Sequence, residues 1–347
     1  FQANKGESFL VPAQVHSYML KQIAHLPTLI EVMAMKQPLA AAPVPGGPSG
    51  NPALERLKEK LDKGSSASAA AASDLWDELI SRMKALVCWD GDFHAQQLTF
   101  EDLLKLISDL DPVVADFAEA AYQAASHRDI LTVKALYRGF SDLAELFDCP
   151  RRYSGTLYSR NYDLFQFIGN EMFVCFIAGL LKYEVWSVFP ELLQESWGTD
   201  RHQRPMTYAN QLSEYLYLLS DRQKPDTRGD LLRQRHSDNS RLAKACPLKD
   251  FQSAEFFLLW QFYSRPDLEG DARWVPWSLA VIPQPPNFLG RATSKKFAEE
   301  LLLAFGLTSI EELRQGLKWA NDRLRAYFPD RRYSLSGLGE PKTIGSH

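Results

Sequence analysis

The chain has 347 residues, long enough for two cores, and its 45% hydrophobic and 12% aromatic content is that of a folded rather than a disordered protein. Its 39 basic and 43 acidic residues leave a net charge of −4, so no global field draws it to nucleic acid or anionic lipid, and any such contact has to be local. Four cysteines, Cys88, Cys149, Cys175 and Cys246, stand far apart without Cys-x-x-Cys spacing, which argues against a zinc knuckle or a disulfide framework and fits a reducing, cytoplasmic compartment.

The chain opens at Phe1 rather than Met, and its first ten residues lack the charged-then-apolar plan of a signal peptide, so further sequence with room for an effector domain is expected upstream. Residues 12–35 place Val15, Tyr18, Met19, Ile23, Leu26, Ile30 and Met33 on one helix face, with Pro27 predicting a bend. From Pro38 to Gly50 the text turns to Ala, Pro and Gly, which reads as a linker. Asn51 and Pro52 then open a short charged helix that Gly64 stops, and Ser65 to Ser73 is Ser/Ala low complexity.

Regular helices follow. Ser73 or Asp74 is placed to cap a helix presenting Leu75, Trp76, Leu79, Ile80, Met83 and Leu86, and Thr99 with Asp102 caps the next. Asp111-Pro112 opens another, and residues 130–147 form a further helix, after which Cys149-Pro150 ends the first unit. Beyond it, helices are predicted at 161–182, 184–195, 207–220 and 250–264, with a polar, Arg-rich stretch at 221–249. Leu164 to Leu181 is apolar enough to raise the question of a membrane span. Gln166, Asn170 and Glu171 near its middle, where a carboxylate costs about 2.5–3.5 kcal/mol to insert, identify it as a buried core helix instead. Arg273 to Phe288 is rich in Trp and Pro and demands extended backbone, with Ala280-Val281-Ile282 as a short strand or packed loop. Thr293 or Ser294 opens and Gly306 closes the next helix, and Thr308 with Glu311 forms a capping box for the last.

The expected fold is therefore mainly α, a multi-helical two-unit array with a short extended Trp/Pro-rich segment, and the competing reading is a single helical solenoid. Its parts are an N-terminal helical segment (1–37), an Ala/Pro/Gly/Ser-rich linker with a short helix (38–72), a helical domain (73–150), a larger helical domain (151–335) and a tail (336–347).

Chemistry is sparse. No GxxxxGK or GxGxxG loop is present to cradle phosphate. His127-Arg128-Asp129 has the letters of a kinase catalytic loop, but Lys134 stands where the magnesium-holding Asn belongs, and a helix junction capped by Asp129 explains the triplet. Ser81-x-x-Lys84, Ser237-Asp238-Asn239 and Lys342-Thr343 follow the order of the serine β-lactamase motifs without their strand context. The seven histidines show neither HExxH spacing nor the Arg-x4-6-His spacing of helical RNases, so no catalytic residue, metal ligand or cofactor is assigned. Glu171, inside the apolar helix, is a buried polar candidate expected to pair with a buried arginine. Between 222 and 249 bases outnumber acids, so Arg228, Arg233, Arg235, Arg241 and Lys244 are the candidates for contact with nucleic acid or an acidic partner. Replacing Arg233, Arg235 and Arg241 by Gln is expected to flatten the salt dependence of such binding without unfolding the chain. Trp260, Trp274 and Trp277 read as a core seam.

The run Asn161 to Ile168, then Glu171, Phe176, Leu180 and Trp186, followed by Arg273 to Pro276 and the capped closing helices, resembles helical regions that accompany effector domains in bacterial antiphage-defence proteins. That resemblance spans roughly half the chain and implies a sensor, scaffold or oligomerisation role. The expected function is accordingly a non-catalytic helical recognition, scaffold or oligomerisation module of a larger bacterial protein or complex. Its partner is a protein or a second copy, with nucleic acid as an alternative and no membrane. The competing reading is a nuclease-like enzyme whose site is assembled from dispersed residues.

Overall fold

Asn51 opens the fold as its composition suggests: its side-chain oxygen accepts the N–H of Ala53 at 2.9 Å, Pro52 fills the first helical position, and α1 runs Pro52–Asp62. The computed structural model describes residues 50–148, 158–193, 196–199, 205–207, 227–264, 276–278, 286–327 and 341–346. By its contacts the chain divides into Phe1–Gly50 and Asn51–His347, and all of the described residues except Gly50 belong to the second unit. Helix α1 is more than a linker element, because Leu54, Leu57 and Leu61 are buried in the core. The low-complexity stretch is likewise structured in part. Helix α2 begins at Ser68 rather than Ser73 and runs to Leu86, with Ala71 and Ala72 buried and α1 packed on it. Alanine carries the best helix propensity, and its small side chain lets two helices approach closely.

Thr99 and Asp102 form the expected reciprocal box at the head of α3 (Phe100–Asp109). Helix α4 (Asp111–Ser126) starts at the expected place, but Asp111 does not cap it; the preceding Leu110 is the cap residue, and the Asp111 carboxylate is used elsewhere. Asp129 caps α5 (Ile130–Arg138) by accepting the N–H groups of Leu131 and Thr132. The helix predicted over 130–147 breaks at Gly139 and resumes as α6 (Phe140–Ala144). Trp76 lies over that glycine: a Cβ at 139 would fall 2.2 Å from the indole, whose Nε1–H donates to the Leu136 carbonyl at 2.7 Å.

Helix α7 (Asp163–Lys182) is the axis of the molecule, with every residue from Phe167 to Leu181 buried. Arg160–Lys182 is long and apolar enough to cross a membrane, yet 94% of its most apolar window is enclosed by the rest of the fold. The segment predicted as a helix over 184–195 is instead a 3-10 turn, Trp186–Val188, and the short α8 (Phe189–Leu192). Strands β1 (Ser196–Thr199) and β2 (Pro205–Thr207) then pair antiparallel, Gly198 opposite Met206. The polar stretch holds α9 (Thr227–Ser237) and α10 (Arg241–Ala245), and α11 (Leu248–Ser264), α12 (Asn287–Arg291), α13 (Lys295–Phe305) and α14 (Ile310–Tyr327) complete the described helices. The last capping box sits one residue later than its letters suggest: Ser309 and Glu312, not Thr308 and Glu311, exchange the bonds. The predicted helix at 12–35, that at 207–220 except Thr207, the Ala280–Ile282 segment and half of the tail lie outside the described residues.

Helix α4 packs on one side of α7 and α11 on another, α10 lies against α4, and α14 closes over α11. This arrangement overturns the division expected at Pro150. One continuous apolar cluster runs from Ala53 to Ile344, and Asn51–His347 forms one compact unit. A helix apolar on every face needs neighbours on every face, so α7 recruits helices from both sides of the supposed boundary. Trp260 and Trp277 do lie in the core, as expected of a seam, whereas Trp274 is outside the described residues.

Among the described residues five helices end alike, with a residue in the left-handed region just past the last turn. Gly64 and Gly306 take that position after α1 and α13, but Cys88 (φ 54°), Arg128 (φ 52°) and Glu184 (φ 58°) take it after α2, α4 and α7. Each of the three shows the paired Schellman bonds; after α4, Arg128 N–H reaches the Ala125 carbonyl at 3.0 Å and Asp129 N–H the Ala124 carbonyl at 3.2 Å. The His-Arg-Asp triplet is thus a helix stop followed by a helix start, the junction its letters predict.

Candidate functional site

The Arg-rich stretch folds because Ser240 caps α10, accepting the Ala243 N–H at 3.1 Å, while Asp238 accepts the Ser240 N–H at 3.0 Å in the turn before it. In α9 the residues Leu232, Arg235 and His236 recur at helical spacing and are all buried. Instead of a solvated basic face, the segment therefore turns a cation and an imidazole into the centre of the fold.

Arg235 is only 6% exposed at its side chain and grips Glu171 of α7 with two bonds, Nε to Oε1 at 2.7 Å and Nη2 to Oε2 at 2.8 Å. Its remaining nitrogen, Nη1, reaches the Asp111 carboxylate at the head of α4 and the Ile107 carbonyl at the end of α3. One guanidinium thus ties four helices together. The expected pairing of Glu171 with a buried arginine is what the fold contains, and of the three arginines whose replacement was expected to leave the fold intact, Arg241 is exposed whereas Arg233 is half-buried and Arg235 buried. Arg241 bonds Asp116 at 2.5 Å and Glu119 at 2.8 Å, Arg233 bonds Asp230 and approaches the Ser278 carbonyl at 3.4 Å, and the Arg228 guanidinium lies 4.1 Å from the centre of the Trp277 ring. Of the five candidates Lys244 and Arg241 are exposed, Arg228 and Arg233 are half-buried, and Arg235 is buried. Asp116, fully enclosed, also accepts from Asn51 at 2.9 Å and Arg82 at 2.7 Å, so that Arg241 helps to lock α1, α2, α4 and α10. Acids brought in from distant helices neutralise the bases, a compensation the local sequence does not display.

Beside Glu171 the fold gathers a second group. Cys175 lies one helical turn further along α7, His236 follows Arg235 on α9, and Cys246 ends α10; all three are buried. Each offers one donor atom, and those atoms lie within 4.8 Å of one another. His236 Nδ1 is 2.7 Å from the Cys246 carbonyl oxygen, which can only accept, so Nδ1 carries the hydrogen. Nε2 lies 3.3 Å from Glu171 Oε1 without making a well-formed hydrogen bond. The Tyr122 hydroxyl of α4 stands 3.5 Å from Cys246 Sγ and 3.4 Å from Asp250 Oδ2.

The electrostatics of the cluster follow from these neighbours. Burial alone would raise the Glu171 carboxyl, but the Arg235 guanidinium and His236 hold it down at about 2. Against the same burial, the neighbouring Cys246 and Glu171 lift His236 to about 10. Burial would also raise the Cys246 thiol, yet Cys175 and the imidazole hold it down at about 6, whereas burial and the neighbouring Cys246 push Cys175 up. The resulting thiolate, imidazolium and carboxylate have the composition of a nucleophile, base and orienting acid. Cys246 and Glu171 expose no surface, however, and His236 only 2%, so no substrate reaches them in this conformation.

Comparison with known protein families, with curated proteins and with solved structures finds no match for the chain. Sequence reasoning found Glu171 and Arg235 separately but missed Asp111, Cys175, His236 and Cys246 as a group. Their separation along the chain defeats any spacing rule. The local signal available was His236 beside Arg235 on the face of α9 that also carries Leu232.

Proposed function

We propose that this chain works by binding, as a helical recognition, scaffold or oligomerisation module of a larger bacterial protein or complex, and not through a catalytic centre of its own. The observation that carries this reading is the fate of the basic stretch: Arg235 and Arg241 hold helices together through Glu171 and Asp116, and Arg228 and Arg233 are engaged with Trp277 and Asp230 inside the chain. Large apolar side chains stand outward instead, Leu131 being 66% and Leu303 63% exposed. The antiphage-defence context rests on the sequence resemblance alone. The test is to incubate the purified chain with labelled DNA, RNA and nucleotides while light scattering follows its mass against concentration. No turnover, together with concentration-dependent self-association, supports the reading. Metal-dependent cleavage that Arg241→Gln or Lys244→Gln abolishes would overturn it in favour of a nuclease-like enzyme.

A further inference from the structure

We propose that Cys175, His236 and Cys246 together bind a thiophilic divalent cation, for which zinc is the best match. Two sulfurs and one imidazole nitrogen are the donor set that zinc prefers, at about 2.3 Å to sulfur and about 2.0–2.1 Å to nitrogen. In a tetrahedral site those bonds set the donors roughly 3.5–3.8 Å apart. One donor atom from each residue already lies within 4.8 Å of the other two, so closing on a cation requires a contraction of about 1.0–1.3 Å at most.

The imidazole is pre-set for the task. Donation of the Nδ1 hydrogen to the Cys246 carbonyl fixes the ring, so a cation that enters binds at Nε2 by displacing the imidazolium proton there, as metal binding to histidine does. Nε2 is fully buried and makes no well-formed hydrogen bond, its nearest described partner being Glu171 Oε1 at 3.3 Å. A metal ion would give it a directed bond. Each ligand also comes from a rigid place: Cys175 from the middle of α7, His236 from the inner face of α9, and Cys246 from the cap of α10.

Charge decides between a divalent and a monovalent ion. Glu171 and Arg235 already cancel one another beside the site. Once binding has displaced the Cys175 and His236 protons, two thiolates and a neutral imidazole need two positive charges to leave the interior neutral, as burial demands. A divalent ion supplies them; a cuprous ion would leave one uncompensated negative charge. The Tyr122 hydroxyl near Cys246 Sγ adds the outer hydrogen bond that thiolate ligands commonly receive.

The test uses the full chain. It is purified under reducing conditions, its bound metal is measured, and the metal-stripped protein is titrated with Zn²⁺ alone and with Co²⁺ alone. Expected is one metal per chain and, with cobalt, a thiolate-to-metal charge-transfer band. Cys175→Ser and Cys246→Ser should each weaken uptake at least tenfold, whereas Cys88→Ser, which alters an exposed cysteine, leaves it unchanged. The cobalt band in the unaltered chain reads the site even where a variant fails to fold. Absence of that band at millimolar cobalt overturns the proposal, as does full uptake by Cys246→Ser. A Cys175–Cys246 disulfide in a chain that takes up no metal would overturn it too, making the pair a redox couple instead.

Discussion

Arg128 holds a left-handed conformation, φ 52°, that an L-residue adopts at a cost of about 1–2 kcal/mol, and its side chain is exposed. Arg128→Gly removes that cost but gives the unfolded chain more freedom, worth about 0.5–1 kcal/mol. The net expectation is a stabilisation of roughly 0.5–1 kcal/mol, read from the urea midpoint at unchanged slope. Arg235→Gln should do the opposite, because it removes the two-bond grip on buried Glu171, which keeps only His236 as counter-charge, and also frees Asp111. Breaking a buried pair on one side costs about 3–5 kcal/mol, so thermal unfolding should show a large fall in Tm, where an exposed arginine would give none. Glu255 of α11 accepts the N–H groups of Trp277 and Ser278 at 2.7 and 2.8 Å, and burial lifts its carboxyl from 4.5 to about 7. A carboxyl raised in the folded state contributes stability that is fully present below its unfolded value and is lost as pH rises through the folded one. Between pH 4.5 and 7 this one group should therefore remove about 3 kcal/mol, and Glu255→Gln should abolish that part of the slope in urea titrations at a series of pH values. Of these residues Glu171 was legible in the sequence as a buried group, because a carboxylate inside an apolar run announces its need for a partner. The identity of that partner was not legible, since Arg235 lies 64 positions away and looks locally like any other base in a polar stretch.

Helix starts were the most readable elements. Asn51, Thr99 with Asp102, and Asp129 act as caps where their letters place them, because a cap is a bond between neighbours in sequence. Reading failed where long-range packing decides. Asp111 gave up its cap position to Arg235, Ser68 to Ala72 became helix against α1, and the helix over 130–147 broke where Gly139 meets Trp76. That last contact gives a test at the scale of the element. A methyl group at 139 must displace either the indole or the α5–α6 corner, so Gly139→Ala should destabilise by about 1–3 kcal/mol even though alanine favours helix. Near-ultraviolet circular dichroism of the tryptophans should change with it, as Trp76 also meets Phe117 and Phe140 at ring separations of 4.9 and 5.1 Å.

For the whole molecule, the mainly helical class was legible from apolar periodicity, but the number of cores was not. Composition showed a punctuation mark at Pro150; it did not show that α7 is covered from both directions by α4 and α11. One core from Ala53 to Ile344 implies one cooperative transition, so urea unfolding followed by tryptophan fluorescence and by far-ultraviolet circular dichroism should superimpose. Two separated midpoints would restore the two-unit array. The central ion pair has a further consequence, for synthesis. When α7 leaves the ribosome, Glu171 has no cation to meet until Arg235 follows, 64 residues later. At translation rates of about 5–20 residues per second that delay is roughly 3–13 s. During it the nascent chain displays the most bilayer-like of the described helices with an unmatched charge at its centre, which makes this interval one in which a holdase or an insertion machinery would compete for the chain.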